Sequence, residues 1–576
     1  MKRILGYYLK PYYLRMAMGF FIKFTGTIMD LLLPWALAHM IDVVIPENRS
    51  GDIIKWGLFM VFCSVVAVVF NIVANRMAAR VASDAIYTIR QDLFSKVMYL
   101  SNSQVDWFTR PSLISRLTSD TYNVHQMLSR MQRLGVRSPI LLIGGLSITM
   151  MLDPALAGVL LCTLPLLAAV VIGVSKKSIP LFSLYQDSLD RFVRLVREDV
   201  AGIRVIKALS KEEFERQRYD KANRQVVEKE RLATITTAVT NPAMNLFLNL
   251  GLVGVIFVGA YRVNAGLTQV GKILAFMTYF TIILNALLSI SKMFVLISKG
   301  TASASRMEKV FSAEDSRTLK LLEKEWTDEK DCHIEFDHVS FSYNKKRNNL
   351  EDISFCLKRG ETLGIIGATG AGKSTVANLL MRFYDVDQGA IRIDGKDIRS
   401  MDLKTLRQKF GAVFQNDVIF EDSIMENISM GRNLTKEQAQ EAACYARAEE
   451  FIRDKGGLEE ALDVRGANLS GGQKQRLLIA RALASKPEIL ILDDSSSALD
   501  YKTDAALRKG LKERYSQTTC IIIAQRISSI MNADHILVLD EGRCIGYGTH
   551  EKLMADCEVY GEIGKSQMGI EVEVNG

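Results

Sequence analysis

The stretch GATGAGKST, residues Gly367 to Thr375, decides the fold of the second half of the chain. It matches the phosphate-binding pattern GxxxxGK[ST], and it lies between a strand pattern, ETLGIIG, and a helix pattern, VANLLMRFY. That strand–loop–helix context is the one this motif requires. Glycines let the backbone wrap closely around phosphate groups, so that successive N–H groups point at the anion. The sequence therefore predicts a nucleotide site within an α/β domain.

The side chains of this loop have separate expected roles. Lys373 is expected to reach the β- and γ-phosphates, and Ser374 to hold Mg²⁺ through its hydroxyl group. The rest of the loop is expected to surround the phosphates: Gly367, Ala368, Thr369, Gly370, Ala371, Gly372 and Thr375.

A second element, EILILDD, ends at Asp494. Its apolar residues predict a buried strand, with Asp493 emerging at the carboxyl end close to the Mg²⁺ ion. Buried strands that end in aspartate are common, so this prediction depends on the position of the strand downstream of the phosphate-binding loop.

Length and composition indicate a membrane protein of several domains. The chain has 576 residues, which is too many for one hydrophobic core. Hydrophobic residues make up 48% of it, the mean hydropathy is +0.11, and the formal charge is +8. Basic cytoplasmic loops explain this modest charge more simply than nucleic-acid binding does. The eight cysteines form no CxxC pair, so we expect neither a zinc site nor a disulfide framework. We therefore expect the soluble part of the chain to lie in a reducing compartment.

Apolar runs upstream of residue 305 are long enough to cross about 30 Å of hydrocarbon. Basic residues are frequent in the connections 76–133 and 175–232, which are either solvated helical hairpins or extensions of the membrane helices. No cleavable signal peptide is evident, so we expect a multi-pass protein of the cytoplasmic membrane, with its N-terminus and nucleotide domain in the cytoplasm. The six predicted spans are about 16–45, 53–75, 134–152, 155–174, 235–262 and 272–298.

The predicted fold class is an all-α six-helix transmembrane domain followed by an α/β phosphate-loop domain. The predicted transmembrane domain, with long cytoplasmic helical extensions, covers 1–305. A charged linker over 306–331 then leads to the nucleotide-binding domain, 332–576.

Between the two phosphate-site elements lies NLSGGQKQRLLIARAL, which strongly resembles the signature sequence of ATP-binding cassette (ABC) proteins. The resemblance extends over the whole chain and is to half-size ABC exporters of the type IV, multidrug-exporter-like fold. It implies an ABC-type ATPase coupled to transport, with ATP and Mg²⁺ as cofactors. It also implies that the signature residues bind the γ-phosphate of ATP held by a second subunit. These residues are Ser470, Gly471, Gly472 and Gln473.

The same resemblance implies roles for four further residues. Tyr343 would stack on adenine, and Gln415 would touch Mg²⁺ and sense the membrane half. Ser497 and Asp500 would form a loop that crosses the dimer interface.

Two segments of the membrane half resemble the intracellular loops of these exporters: VDWFTRPSLISRLTSD and GIRVIKALSKEEFERQRY. They imply one coupling helix near Asp106–Phe108 and another near Ser210–Phe214. The second would dock on the nucleotide domain of the partner subunit.

Three positions depart from the family pattern. Asp494 stands where the family has its catalytic glutamate, and its side chain is one methylene shorter, which weakens its hold on the attacking water. Gln525 replaces the switch histidine and is neutral at every pH. Val464 stands where exporters usually carry a glutamate, which puts in doubt the usual contact to the coupling region. The first two changes together predict a site that binds ATP and hydrolyses it poorly.

A weakened phosphate-loop side with an intact signature predicts the degenerate-site subunit of a heterodimeric exporter. The partner subunit would carry the glutamate and the histidine. The pair would export drugs or other amphipathic small molecules from the cytoplasm or the inner leaflet. The other expected partner of the chain is membrane lipid, and no nucleic acid is expected to bind. Short outer loops, with no capture or peptidase domain expected, favour export over import. A homodimeric lipid or peptide exporter and an ATP-gated regulatory or channel-like subunit remain as alternatives.

Polar residues inside the predicted spans are candidates for a translocation cavity. Lys23 and Asp30 share a helix face, which fits a cavity, a structural ion pair or a lysine whose charged end extends to the membrane surface. Asn241, Asn245 and Asn249 repeat every four residues and fit a cavity or interhelical hydrogen bonds equally well. Two further lysines, Lys292 and Lys299, mark the end of the sixth span.

Overall fold

The computed structural model describes residues 2–47, 49–314, 332–495 and 499–568. Internal contacts divide them into two units. The first comprises the residues up to Met98 together with Arg110–Ala313, and the second comprises Tyr99–Thr109 together with the residues from Glu314 onward.

Helices make up the first unit, and the short helix α4 belongs to the second. The elements in chain order are α1 (Lys2–Leu9), α2 (Tyr13–His39), α3 (Ser50–Met98), α4 (Asn102–Phe108), α5 (Arg110–Ser115), α6 (Thr121–Leu152), α7 (Pro154–Ala201), α8 (Ile203–Ala208), α9 (Glu212–Ala238), α10 (Thr240–Asn264) and α11 (Val270–Phe311).

Six helical segments of the described residues are long and apolar enough to span a membrane, which confirms the predicted all-α domain. Helix α3 has 49 residues. At about 1.5 Å per residue it is more than twice as long as the hydrocarbon is thick. Residues 76–98 and 175–201 therefore continue α3 and α7, and the predicted alternative of extended membrane helices is the correct one.

Asp153 lies at the turn between α6 and α7. Its Oδ1 accepts hydrogen bonds from the backbone N–H groups of Ala155 and Leu156, at 2.9 and 3.3 Å, and so caps α7. Its Oδ2 lies 3.2 Å from the Nε of Arg262 on α10. The buried carboxylate therefore has partners from two helices.

The core of the first unit lies where α2, α6, α7, α10 and α11 meet. Leu31, Phe276 and Ile283 are fully buried there. The Tyr279 hydroxyl is also buried and donates to the backbone carbonyl of Leu31. Helix α11 continues to Phe311, and residues 315–331 of the predicted linker lie outside the described residues.

The second unit is α/β, as predicted. Its strands are β1 (Ile334–Phe341), β2 (Leu350–Leu357), β3 (Thr362–Gly367), β4 (Gln388–Ile393), β5 (Lys396–Asp397), β6 (Phe410–Val413), β7 (Ile489–Asp493), β8 (Thr519–Ile523), β9 (His535–Asp540) and β10 (Arg543–Gly548). Its helices after α4 are α12 (Lys373–Leu380), α13 (Leu403–Gln408), α14 (Ile424–Ser429), α15 (Lys436–Tyr445), α16 (Glu449–Asp454), α17 (Gly471–Leu483), α18 (Tyr501–Arg514), α19 (His550–Asp556) and α20 (Glu558–Met568).

The strands of this unit form two sheets in the described residues. An antiparallel sheet has the order β2-β1-β4-β5, and a larger sheet has the order β10-β9-β3-β8-β7-β6. In the larger sheet β6, β7, β8, β3 and β9 run parallel, and β10 is antiparallel. One core joins the antiparallel sheet to β3 and α12, and another lies between α15, α17 and β7.

Cys332 and Cys356 form a disulfide, so the prediction that the cysteines form no such bonds is wrong for this pair. Cys356 of β2 pairs with Glu335 near the start of β1, and Cys332 lies just before that strand. The Cα atoms of the two cysteines are 5.7 Å apart. Spacing alone could not reveal the pair, because 24 residues separate the two cysteines in sequence.

The disulfide predicts a definite thiol count. Alkylation of the unfolded chain without reductant should modify six cysteines, and all eight after reduction. Cys356→Ser is expected to raise the unreduced count to seven, as Cys332 becomes free. Mass spectrometry of the intact chain provides the measurement, and eight modified cysteines before reduction would contradict the bond.

Candidate nucleotide site

The strand register brings the predicted site residues to one edge of the larger sheet. Ile365 of β3 pairs with Ile523 of β8, and Ile523 pairs in turn with Asp493 of β7. Because these strands are parallel, the loops that follow them leave from the same edge. Ligands of open parallel sheets bind at this carboxyl edge.

Gly372 shows why the loop needs glycine. Its φ is +96°, and a Cβ atom there would lie 2.5 Å from the backbone oxygen of Asn349. Any other residue would meet both backbone strain and a collision. Helix α12 begins at the next residue, so its unpaired N–H groups face the loop.

A cavity of about 270 Å³ lies at this edge. The structure brings together there the phosphate loop, Gln415, both aspartates and Gln525, although they come from four separate segments. The lining residues are Asn349, Thr369, Gly370, Gly372, Lys373, Ser374, Thr375, Gln415, Asp493, Asp494, Ile523, Ala524 and Gln525. Gly367, Ala368 and Ala371 complete the loop beneath it.

Lys373 is half-buried above the loop. Its Nζ donates to the backbone carbonyls of Gly367 and Ala368, at 2.8 Å each. Burial lowers the pKa of this amine, and the charges of Asp493 and Asp494 oppose that shift. The lysine is therefore a cation held against the backbone of the phosphate loop, which suits a phosphate.

Asp493 is 5% exposed at the end of β7. Burial raises its pKa, whereas a hydrogen bond from Ser374 and the charge of Lys373 lower it. A carboxylate beside a hydroxyl group offers the oxygen ligands that Mg²⁺ prefers.

Asp494 is held by two amides. Its Oδ2 accepts hydrogen bonds from the Nε2 atoms of Gln525, at 3.2 Å, and Gln415, at 3.5 Å. Burial raises the pKa of Asp494, and the charge of Lys373 lowers it. Two of the three positions that depart from the family pattern, Asp494 and Gln525, are therefore in direct contact.

Gln567 on α20 fixes the segment that carries Gln525, and no sequence motif indicates this contact. Its side-chain nitrogen donates to the carbonyl of Gln525, at 2.9 Å. Its side-chain oxygen accepts from the N–H of Ile527, at 2.8 Å. One amide side chain thus holds the backbone on both sides of Arg526.

Tyr343 lies at the side of the loop, where its ring is 44% exposed. Its hydroxyl accepts a hydrogen bond from Asn378 on α12, at 3.1 Å. Its ring contacts Tyr384 edge-on, with centroids 4.9 Å apart. An accessible ring held in this way has the form that the predicted adenine platform needs.

The signature residues lie outside the cavity, at the start of α17. Ser470 caps this helix, because its hydroxyl accepts from the N–H of Gln473 and its own N–H donates to the Gln473 side chain. Gly471 and Gly472 form the first turn. The N-terminus of a 13-residue helix is thus available to an anion from elsewhere.

Asp500 caps α18 through hydrogen bonds from the N–H and hydroxyl of Thr503, at 2.9 and 2.7 Å. Ser497, its predicted neighbour at a dimer interface, lies outside the described residues. Val464 is 61% exposed in a short 3₁₀ turn.

The predicted coupling residues at Asp106–Phe108 form the end of α4. The Asp106 carboxylate accepts a hydrogen bond from the Tyr384 hydroxyl, at 2.6 Å. The second predicted coupling helix is wrong in its bounds. Ser210 has a φ of +51° in the turn between α8 and α9, and α9 begins at Glu212.

A possible metal cluster outside the cavity is better described as an ion-pair network. Ligand atoms of His333, Asp394 and Glu488 lie within 4.8 Å of one another. Arg359 pairs with both carboxylates, at 2.8 and 3.6 Å, and Lys409 lies 2.7 Å from Glu488. The negative charges are already balanced.

Six membrane-length helices joined to a phosphate-loop domain with a signature helix define an ATP-driven membrane transporter. Residues 16–287 match the ABC transporter transmembrane region, and residues 350–497 match the ABC transporter nucleotide domain.

Relatives cover almost the whole chain. The uncharacterized ABC transporter ATP-binding protein YfiB of Bacillus subtilis is 35% identical over 98% of this chain and 98% of its own length. The fatty acid ABC transporter ATP-binding/permease protein of Mycobacterium bovis is 33% identical over 82% of this chain and 75% of its own.

A solved structure of a bacterial Atm1-family ABC exporter with ATP bound matches with a TM-score of 0.80 and 26% identity. The match covers 96% of this chain and 98% of that one. The chain therefore belongs to the ABC transporter family, as a multi-pass exporter half-transporter with an ATP-binding domain.

Tyr384 provides a test of coupling between α4 and the nucleotide site. Tyr384→Phe keeps the ring beside Tyr343 and removes only the hydrogen bond to Asp106, which contributes about 1.5–3 kcal/mol when the acceptor is charged. We expect ATP affinity to be unchanged and transport per ATP hydrolysed to fall.

Asp106→Asn should have a similar effect, and the double variant should be no worse than either single one. Vesicle transport and ATPase assays on the same preparation provide the measurement. Additive losses in the double variant would show that the two side chains do not act together.

Proposed function

We propose that this chain is the degenerate-site subunit of a heterodimeric exporter that extrudes drugs or other amphipathic molecules from the cytoplasm or inner leaflet. The observation that carries the proposal is the contact between Asp494 and Gln525 inside the ATP site. A shortened acid and a neutral amide occupy the positions where this family has a base and a histidine.

The environment of Asp494 supports weak hydrolysis. A general base must reach the attacking water within hydrogen-bond distance. The aspartate is one methylene shorter than glutamate, and the amides of Gln415 and Gln525 both donate to its Oδ2. Its carboxylate is thereby directed at protein amides rather than at a water on the γ-phosphate.

Gln525 adds to the effect. An amide cannot supply a charged hydrogen bond to the γ-phosphate at any pH. Gln567 also holds its backbone from both sides, which limits rearrangement of the segment around ATP.

ATP binding itself is supported by the intact loop. Lys373 and the N-terminus of α12 remain to hold the phosphates. Ser374 and Asp493 offer oxygen ligands for Mg²⁺, with Gln415 at the same cavity. We therefore expect a tightly held nucleotide with slow turnover.

The intact signature, beside a weakened site on the same chain, fits a heterodimer with a different partner chain. ABC nucleotide sites are shared, so Ser470–Gln473 would complete the site whose phosphate loop belongs to the partner. That partner would carry the catalytic glutamate and the switch histidine. Nucleotide hydrolysed there would drive the membrane helices between inward- and outward-facing states.

Charge supports the proposed orientation. Basic residues concentrate in the connections 76–133 and 175–232, which favours the cytoplasm for these parts and for the nucleotide domain. The relative named as a fatty acid transporter supports an amphipathic cargo.

Removal of each acid in turn tests the asymmetry. Asp494→Asn in the purified pair should leave ATP turnover within about twofold, whereas Glu→Gln at the partner's matching position should reduce it by about 100-fold or more, since a general base contributes about 10²–10⁴-fold. Asp494→Glu with Gln525→His should raise turnover at the site on this chain.

The same experiment distinguishes the alternatives. Robust ATPase activity of this chain alone, abolished by Asp494→Asn, would show a homodimer with equal sites. Ion flux through the pair without coupled turnover would show a channel-like subunit.

Ser470 provides an independent test. Ser470→Asp keeps the helix cap, because aspartate caps as well as serine, but places a negative charge where the partner's γ-phosphate should bind. We expect it to lower ATPase activity of the pair at least as strongly as the partner's Glu→Gln. Ser470→Thr is the matched control.

Lys373→Ala should reduce ATP binding to this chain and leave most hydrolysis intact.

If Ser470→Asp left turnover unchanged, the signature of this chain would not belong to the active site.

A further inference from the structure

A cavity of about 350 Å³ in the first unit is strongly cationic. It lies between α2, α3 and α6, and it is large enough for a ligand head group. Four of its six lining residues carry a positive charge. The lining residues are Lys23, Asn75, Arg130, Arg133, Leu134 and Arg137.

The cavity lies at one end of the predicted spans. Asn75 ends the second span, and Arg130 and Arg133 directly precede the third, which begins at residue 134. This is the cytoplasmic end in the proposed orientation. A molecule arriving from the cytoplasm or the inner leaflet would meet the cations there.

One carboxylate accompanies these cations. Asp30 lies 3.0 Å from Arg137 and accepts a hydrogen bond from Asn71, at 3.3 Å. Of the alternatives for Lys23 and Asp30, an ion pair between the two is therefore wrong, because Asp30 pairs with Arg137 instead. Among the described residues, Lys23, Arg130 and Arg133 form no ion pair, so three positive charges remain without a carboxylate.

Hydrogen bonds hold two of the cations, Lys23 and Arg133, in place. Lys23 is 3% exposed, and its Nζ donates to the amide oxygen of Asn75, at 3.0 Å. Arg133 donates to the backbone oxygen and the hydroxyl of Ser129, at 3.2 and 2.8 Å. Because Lys23 is buried and bonded to the neutral Asn75 amide, its charged end does not extend to water as an exposed membrane lysine would.

Such an arrangement is costly unless an anion completes it. Charges inside a membrane protein are normally paired with an opposite charge or line a functional cavity. Basic pockets between membrane helices on the cytoplasmic side bind anionic head groups. Beyond Arg137, α6 continues as the apolar run SPILLIGGL, which suits an apolar tail.

We propose that this cation cavity binds the anionic head group of an amphipathic substrate, a carboxylate, phosphate or sulfate attached to an apolar tail. The proposal deepens the export function proposed above and rests on it for the transport step. It also predicts that cationic amphiphiles are rejected, because like charges repel strongly where water is limited.

Head-group selectivity of the purified complex tests this directly. Dodecanoate, dodecyl phosphate, dodecyltrimethylammonium and dodecyl maltoside share one tail and differ in charge. Their competition with a fluorescent dodecanoate is measured without nucleotide, in nanodiscs and below micelle-forming concentrations. We expect the two anions to bind at least about tenfold more tightly than the cation and the sugar, since a charge-assisted hydrogen bond has about this effect.

Variants locate the binding site. Lys23→Gln and Arg133→Gln should each weaken dodecanoate binding about tenfold and leave maltoside binding unchanged. Arg133→Lys keeps the charge and should bind within about twofold of the original. Arg80→Gln, on α3 outside the cavity, is the matched control. Size-exclusion profiles and thermal unfolding establish that each variant is folded.

The nanodisc lipid distinguishes the two sources of such an anion. If phosphatidylglycerol in place of phosphatidylcholine weakens dodecanoate binding, a lipid head group occupies the cavity. If the affinity stays the same, a soluble amphiphile is the ligand. Both results support an anion site.

Equal affinity for dodecyltrimethylammonium and dodecanoate would overturn the proposal, and this comparison needs no variant. Folded Lys23→Gln and Arg133→Gln proteins with unaltered dodecanoate binding would overturn it as well. Binding is measured without ATP, so a failure of the hydrolytic asymmetry would leave this result unaffected. Likewise, a failure of anion binding would leave the test of hydrolytic asymmetry unaffected.

Discussion

Parallel pairing of β3, β8 and β7 is the constraint on which the nucleotide site depends. Neighbouring strands lie about 4.8 Å apart, so the loops that follow them are brought within reach of one small anion. The register sets Asp493 beside Ile523, and a slip of one residue would turn this carboxylate to the other face of the sheet. The isoleucines and leucines of these strands are buried on both faces of the sheet, and a slip would displace them from the two cores that they fill. Hydrophobic packing thus determines where the charged groups meet.

The same constraint explains how much of the site could be predicted from the sequence. Gly372, Lys373 and Asp493 lie in short motifs whose chemistry is local, so their residue types and spacing are sufficient. Gln567 is different, because it reaches Gln525 from 42 residues away, and a glutamine on a surface helix carries no local signal. The Cys332–Cys356 bond likewise depends on the register of two strands. Such contacts between distant elements depend on how strands pair and where helices pack, and the local sequence pattern does not show either.

The membrane half shows the same division. Hydropathy identifies the spans, because backbone groups in hydrocarbon must be satisfied within a helix and apolar side chains must cover it. It does not show where a helix ends beyond the membrane, as the 49 residues of α3 illustrate. Helical periodicity placed Lys23 and Asp30 on one face of α2, but it could not show that Arg137 of α6 would bind the aspartate. The identity of a neighbouring helix is a property of packing.

The two proposals rest on the same kind of observation in separate parts of the chain, namely charged groups without a full set of partners. Under the proposed function, the acid at the nucleotide site is weakened, yet Lys373 and the start of α12 still favour a bound phosphate, so the chain would keep nucleotide binding with little turnover. In the membrane unit three cations lack a carboxylate, and the proposed anion would come from outside the chain. Both sites would then be incomplete on their own: the first would lack an effective base for the reaction, and the second a counter-charge. A partner with a complete base and an anionic cargo would satisfy both, whereas a second copy of this chain would supply neither glutamate nor histidine.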